Sequence, residues 1–564
     1  MKWRLTPSHR IEIYDNDSGK WYDYCEGIQV SVENTELLSG TKTLEVSLYD
    51  SFTGKATLKL DRQDVNHKIV DKLLPYGLTL YDGEEENINI AQVIFDSAQS
   101  AQHQYTHSSL GFVKIGNELA YLADVPIGLS DPLKSQSHYV DSEKTTPVGS
   151  LEGWVRIIKA EILGKPYMEL ALAIGALAPV AHLLRENKVL TLVPIIAFIG
   201  ASSTGKTTCM KLIGSIYGSP EESKGLLSDL NATQNAFFAQ LGNVNGLPAL
   251  LDECSAVPEW DFTKVVYNLP KGRDKLRCDS EGKVRKSIHF SGAIVLSGEH
   301  SLFAQTNNSR GLFARLVELS LPWTKDGAHA DRIDYGIRHN YGWAVYPLLT
   351  WLLENRACLE ERYRVNFELL KVKLDNISGV EERLFKIYAA ILVSAEALNH
   401  SLSLNLNIDA MSDILIAQHK ERAKLLLTPE VVYQYILNKV LNNFDKFPTK
   451  DMAPIAKNLW GERSSVVGKP AIWIKESEFL SMLGEIGVDN FDARKSGFHE
   501  AGWLYRSVDR HYRIKHSLCG IKYPCFAIFY DSGADSNAKK SPKVPRRTKR
   551  IYLSSSIDDM NTEA

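Results

Sequence analysis

Cysteine is scarce in this chain, long apolar runs are missing, and neither sign of charge dominates. The seven cysteines, Cys25, Cys209, Cys254, Cys278, Cys358, Cys519 and Cys525, are odd in number and scattered. None pairs at zinc-finger spacing, which predicts reduced thiols in the cytoplasm. The opening Met1-Lys-Trp-Arg-Leu-Thr-Pro has no apolar stretch of the kind a signal peptide needs. The most apolar segment, Leu170 to Leu184, is broken by Pro179 and His182 and is too short to span a bilayer. It reads as a buried helix, and no membrane partner is expected. A net charge of −3 supplies no global basic field, so any nucleic-acid contact must come from local patches.

What is present is concentrated in one place. Gly200-Ala-Ser-Ser203-Thr204-Gly205-Lys206-Thr207 is a complete GxxxxGK[ST] loop. Leu192–Ile199 before it is an apolar run of strand length, and Thr208–Tyr217 after it has helical spacing at Met210, Leu212, Ile213 and Ile216. A strand, a glycine-rich turn and a helix N-terminus present backbone N–H groups and a positive dipole end, which suits a polyphosphate. Gly200, Ser203, Thr204, Gly205, Lys206, Thr207 and Thr208 are therefore the expected ATP-binding residues. Lys206 would reach the β- and γ-phosphates, and the Thr207 hydroxyl would hold Mg²⁺. About forty-five residues on, Leu247-Pro-Ala-Leu-Leu-Asp252-Glu253 is an apolar strand ending in two carboxylates. Asp252 suits the Mg²⁺ shell, and Glu253 suits orienting and deprotonating a water. That pair favours ATP hydrolysis over the chemistry of a GTPase or a small-molecule kinase. Cys209 and Cys254 flank the two motifs and read as packing groups.

At 564 residues the chain has room for three or four domains, and 44% hydrophobic with 24% charged residues is ordinary for a soluble protein. Strand signals dominate 1–147, expected to be a mixed α/β module: Lys2–Ile13, Gly27–Glu33, Thr43–Tyr49, Ala56–Leu60 and a Gly111–Leu122 hairpin, with a helical piece at Val65–Leu74. Its polar segment Ser130–Thr146 reads as a linker. A helical lead-in spans 148–190. Strands and helices alternate over 191–330, which predicts a parallel sheet. Apolar residues at three-to-four spacing predict helices over 331–445.

The region 446–530 reads as a winged helix, with helices at Lys475–Leu483 and Phe491–Ala501. Strands are expected at Trp503–Arg506, Tyr512–Lys515 and Cys525–Tyr530. Arg494 and Lys495 are expected to be exposed for DNA contact. The tail 531–564 is polar and basic, disordered by composition.

A second basic feature lies between Asp252 and the next core strand, Phe290–Ser297. Residues 271–286 carry seven Lys or Arg against three acids, a net of +4 in an acidic chain. The turn signal Asp279-Ser-Glu-Gly282 makes this a predicted β-hairpin. Lys271, Arg273, Lys275, Arg277, Lys283, Arg285 and Lys286 are the candidate phosphate contacts on DNA. The plainer alternative is a solvated hairpin that keeps an edge soluble. Ser297 ends the strand where ring ATPases place a polar γ-phosphate sensor, usually Asn. Arg315, with Arg310 in reserve, precedes the next core strand at the position of an arginine finger.

Taken together, these residues resemble the AAA+ ATPases of phage, plasmid and genomic-island origin grouped as domain-of-unknown-function family 927, related to MCM-like and superfamily-3 replicative helicases. The likeness covers roughly 90 to 400. It rests on the loop and the helix ending Ile216-Tyr-Gly218, on Asn231-Ala-Thr-Gln-Asn235, on Leu250–Glu253, on Gly149–Trp154 and on the helix from Glu382 to Leu398. It departs in its Ser297 and in lacking a long insertion between Gly218 and Gly246. The resemblance implies an α/β fold with an AAA+ core, helical lid and C-terminal winged helix. It also implies a cytoplasmic ring, a hexamer by expectation, that uses ATP and Mg²⁺ to drive a DNA helicase or translocase in replication of a mobile element. Single-stranded DNA would occupy the pore and duplex the winged helix. A switch or loader that remodels a protein partner without unwinding DNA stays open, as does a DNA-binding factor whose ATPase controls assembly.

Overall fold

Alternating apolar residues in the first sixty positions build the first sheet. The computed structural model describes residues 2–50, 54–81, 86–222, 225–229, 241, 245–254, 266–273, 289–302, 313–374, 381–424, 429–449, 458–486, 488, 491–492 and 494–530. Lys2–Leu5, Arg10–Asp15, Lys20–Glu36, Lys42–Asp50 and Gly54–Asp61 are successive antiparallel neighbours. Leu44, Val46 and Leu48 point to one face, where they pack against helices Ile69–Leu73 and Glu86–Gln99. The helix Glu86–Gln99 and the strand Gln102–His107, which joins Lys20–Glu36 in parallel, were not expected from the sequence. The segment read as a linker is also structured: His138–Tyr139 pairs with Gln102–His107, and Ser142–Thr145 forms a helical turn.

A second sheet carries the glycine-rich loop. Its parallel strands run in the order Val317–Leu319, Ile195–Ile199, Ser291–Gly298 and Asn245–Asp252, with Leu227–Asp229 beyond. The parallel sheet expected from the alternation is therefore present, and the fold is mixed α/β. Ile195–Ile199 is buried at all five positions, as a strand covered on both faces must be. The hairpin Gly111–Ile115/Glu118–Leu122 forms with its Gly116-Asn117 turn, yet it extends this second sheet through Gly111 opposite Asn245.

Helices Leu151–Ile157, Pro166–Gly175, Leu177–Glu186 and Lys206–Tyr217 share one continuous core with that sheet and with the helices between Gly327 and Lys424. The tract Gly149–Trp154 does local work there. Ser150 caps the helix by accepting from Gly153 N at 3.0 Å, and the buried Trp154 donates to Ser215 Oγ at 3.0 Å. Leu170–Leu184, expected as one helix, is two buried helices bent by 49°. Among the described residues no single helix is long and apolar enough to cross a membrane.

The C-terminal part is a four-stranded antiparallel sheet, Gly461–Val466, Lys469–Lys475, Ile521–Phe529 and Ile514–Leu518 in spatial order. Its core takes in Val432, Tyr433, Ile436 and Val440 of helix Pro429–Leu441, a helix expected with the preceding helical region. The first two strands were not anticipated. Trp503–Arg506 makes only an isolated bridge, Leu504 to Ile528, where a strand was expected. Helix Glu476–Glu485 matches the first expected helix, and the second is shorter, Lys495–Glu500.

The hairpin's attachment to the second sheet is sterically tight. Gly111 has φ +92°, and a β-carbon there would lie 2.1 Å from the Asn245 carbonyl oxygen. Gly111→Ala should lower the melting temperature, with a cost of about 2 kcal/mol or more from strain and displaced pairing. Thermal unfolding followed by circular dichroism checks this; an unchanged melt would show that the hairpin contributes nothing to that edge.

Candidate functional site

Three chain segments meet at the C-terminal ends of parallel strands, where a doubly covered sheet leaves its crevice. The first is the glycine-rich loop. Gly205, at φ +89°, caps helix Lys206–Tyr217, and a β-carbon on it would meet the Thr324 side chain at 2.6 Å. Ser203 also sits at positive φ, 65°. Trp323 N and Thr324 N donate to Thr204 O at 3.1 and 3.4 Å, and Trp323 packs on Phe198 with ring centres 4.4 Å apart. The loop is thus clamped between its own strand and the chain following Val317–Leu319. Its shape leaves a ring of backbone around the helix start that only glycine permits at 205.

Lys206 is buried, and its Nζ donates to Gly200 O at 2.9 Å and Ala201 O at 2.8 Å. Burial holds its pKa below the ordinary lysine value, while Glu299, then Asp252, then Glu253 pull the opposite way.

The second segment is Asn245–Asp252. Asp252 is buried and accepts from Thr207 Oγ1 at 2.9 Å and from Ser297 Oγ. The third, Ser291–Gly298, therefore delivers Ser297 to Asp252. Glu253 N donates to Asp252 Oδ1 at 3.1 Å and to Ser297 Oγ at 3.3 Å. Glu253 itself has φ 60°, a left-handed conformation that costs a non-glycine residue about 1–3 kcal/mol and turns its exposed side chain away from the strand. Thr207, Asp252, Ser297 and Glu253, picked from separate stretches, are brought together. The Thr207 and Asp252 oxygens form a hard-oxygen pair at the start of a helix, a donor set that fits Mg²⁺ sharing its shell with phosphates.

Glu299 was missed by the sequence reading. It lies one residue past the Ser297 strand, and its carboxylate accepts from Ser202 Oγ in the loop. Its only signal was position, an acid just beyond a polar strand end. Arg422 was missed as well. It is buried in helix Ile408–Lys424, donates to Leu316 O at 2.7 Å, and lies 4.0 Å from Glu318.

Arg315 is half-buried with its guanidinium 4.9 Å from the Tyr267 ring centre. Lys271 and Arg273 are exposed, and Arg273 bridges to His289, so the chain re-pairs on either side of the basic segment. Lys275, Arg277, Lys283, Arg285, Lys286, Arg310, Asn231–Asn235 and the tail 531–564 lie outside the described residues.

Arg494 and Lys495 are not exposed as expected. They are half-buried, because the turn that leads from Phe491 into helix Lys495–Glu500 sets them between Phe491 and Phe498, both in the core. Lys495 pairs with Asp492, burial opposes the Arg494 charge, and Arg513, in the bend before strand Ile514–Leu518, pairs with Glu476 at 2.9 Å.

Comparison with known proteins now adds to this geometry. Residues 50–289 match the family model "Domain of unknown function (DUF927)". That match begins earlier than the likeness read from the sequence and ends before the helical region. A solved structure titled "SCCmec type IV Cch - active helicase" resembles this chain with a TM-score of 0.69 at 19% identity, over 93% of this chain and 96% of that one. The chain therefore shares its fold with that protein. A second, "The A form apo structure of NrS-1 C terminal region-CTR(305-718)", aligns over 70% of this chain and 91% of that one at 10% identity, with a TM-score of 0.23. No curated protein matches.

The two cysteines beside the site are buried. Burial pushes the Cys254 thiol up to about 12 and Cys209 well above the ordinary range. Thiolate, the reactive form, is thus suppressed at both. Iodoacetamide at pH 8 should label the exposed Cys358 and Cys519 first and leave Cys209 and Cys254 protected in the folded protein. Peptide mass mapping reads this directly, and early labelling of Cys254 would contradict the buried, protonated assignment.

Proposed function

We propose that this protein is an ATP-driven, ring-forming DNA helicase or translocase with an AAA+ core, working in the cytoplasm in replication of a mobile element. The observation that carries the reading is the Thr207–Asp252–Ser297–Glu253 cluster beside Lys206, at the ends of adjacent parallel strands. The order of the sheet supports it, because the Ser297 strand lies between the loop strand and the Asp252 strand. Likeness of fold to a protein titled an active helicase supports the DNA-directed part.

In this reading the backbone N–H groups from Thr204 to Thr208 bind the phosphates, and Lys206 leaves its loop carbonyls to neutralise the β- and γ-oxygens. Thr207 and Asp252 would hold Mg²⁺, which supplies charge neutralisation at the phosphates. Glu253, turned out of the strand by its positive φ, orients a water and takes its proton as the water attacks the γ-phosphorus. Ser297 fixes Asp252 and the Glu253 backbone so that the two carboxylates keep separate tasks. Arg315 of a neighbouring copy stabilises charge on the transferring phosphoryl group. The helices from Gly327 to Lys424 act as the lid, and the C-terminal sheet with its two helices acts as a winged helix on duplex DNA.

One observation favours the loader or switch reading. Lys495 and Arg513 are already paired with acids and Arg494 is half-buried, which weakens the C-terminal part as a duplex-binding surface. The deciding experiment is ATP hydrolysis with and without single- and double-stranded DNA, run beside strand displacement. Hydrolysis without displacement selects the loader.

Two sets of variants separate the assigned roles. Lys206→Ala should abolish ATP binding, whereas Glu253→Gln should retain ATP and lose about a hundredfold or more in turnover. Equal loss of binding in both, by fluorescent-nucleotide titration, would overturn the assignment. For the basic segment, replacing Lys283, Arg285 and Lys286 with Glu reverses the local charge by about six units. DNA-stimulated hydrolysis and strand displacement should both fall, and the salt dependence of DNA binding should flatten. Full displacement by that variant would remove the pore-hairpin mechanism.

A further inference from the structure

One acid at the site has no task in the mechanism above. Glu299 follows the strand Ser291–Gly298, and Gly200 N donates to Gly298 O at 3.2 Å. The beginning of the loop and the end of this strand are thereby tied together, which presses Glu299 against the loop. Its carboxylate accepts from Ser202 Oγ, on the loop's first half, away from the helix start.

The direction of a bound nucleotide follows from the other acids. Asp252 and Glu253 manage metal and water, so the far end of a triphosphate must point toward the strand ends that carry them. The Ser297 strand lies between the loop strand and the Asp252 strand, and Glu299 follows its end, against the loop. A diphosphate, held by the helix start and Lys206, stops short of it.

We propose that Glu299 sets the balance between triphosphate and diphosphate: its carboxylate competes with the terminal phosphate for the Ser202 end of the loop. The inference rests on the nucleotide reading above and adds a residue to it. Like charges at contact distance repel, and because Glu299 and Ser202 are both exposed, solvent screening keeps the effect to a few-fold in affinity. A terminal phosphate must drive the carboxylate off Ser202, while a diphosphate leaves that contact in place. The charge balance around Lys206 agrees, because Glu299 exerts the largest pull of the three neighbouring acids. Binding of triphosphate therefore displaces the Glu299 carboxylate from Ser202, and release of the terminal phosphate lets it return. The loop is biased toward the product-bound arrangement, which resets the site after each turnover.

Affinities for ATPγS and ADP, each with Mg²⁺, test this in the full chain by fluorescence titration. Glu299→Gln keeps an oxygen that can accept from Ser202 but removes the charge. It should bind ATPγS about fivefold more tightly, with little change for ADP. Glu299→Ala, which removes charge and hydrogen bond together, should shift the ratio the same way. Equal changes for the two nucleotides, or none, overturn the inference. So does weaker ATPγS binding, which would make Glu299 a holding group. Unchanged affinities with lost hydrolysis would move Glu299 into the chemical step and also overturn it. Wild-type protein that fails to bind ATPγS in a Lys206-dependent way defeats the nucleotide reading itself, a result separable from the others by Lys206→Ala.

Discussion

Asp252 carries a charge out of water, and burying a carboxylate costs several kcal/mol unless donors surround it. Three donors do: the hydroxyls of Thr207 and Ser297 and the backbone N–H of Glu253. They belong to a helix start, a neighbouring strand end and the turn that follows the acid. The need to satisfy one buried charge therefore fixes the relative positions of three segments that are far apart in the chain. Each donor gains its geometry only if the other two are present, so the arrangement holds as a unit.

That unit depends in turn on strand register. Phe198 lies opposite Ser297, and Leu251 lies opposite Leu296, so Ser297 stands level with Asp252. A slip by one residue would point Ser297 to the other face and leave the carboxylate short of a donor. The apolar residues of Ile195–Ile199 and Ser291–Gly298 prevent it, because they are buried along their length between helix layers. The clamp on Thr204 by Trp323 and Thr324 holds the loop to the same frame. Within the site the backbone cost falls on Ser203 and Glu253, non-glycine residues at positive φ, whereas Gly205 takes its positive φ without a side chain to clash. Such cost persists only where the surrounding packing over-determines the conformation, and it does so here.

The cations illustrate how pattern and placement can part. Arg494 and Lys495 read as surface charges when each is judged by its type. Their spacing from Phe491 and Phe498 was the better guide, since both cations sit in the short stretch between those two buried rings. Asp492 takes the Lys495 ammonium. The hairpin at Gly111 shows the same separation: its turn was legible, but its partner strand lay more than a hundred residues on.

Local sequence by itself determined the loop, its flanking strand and helix, the acid pair, the parallel sheet and most of the helices after Gly327. Those features depend on residues within a few positions of one another, where glycine placement and apolar periodicity act directly. Only the tertiary structure decided that Gly111–Leu122 extends the second sheet, that helix Pro429–Leu441 packs with the C-terminal sheet, and that Arg422 reaches Leu316. It alone brought Glu299 against Ser202. Contacts of this kind depend on which strands become neighbours. That order is set by burial summed over the whole core, a quantity that no short stretch of sequence carries.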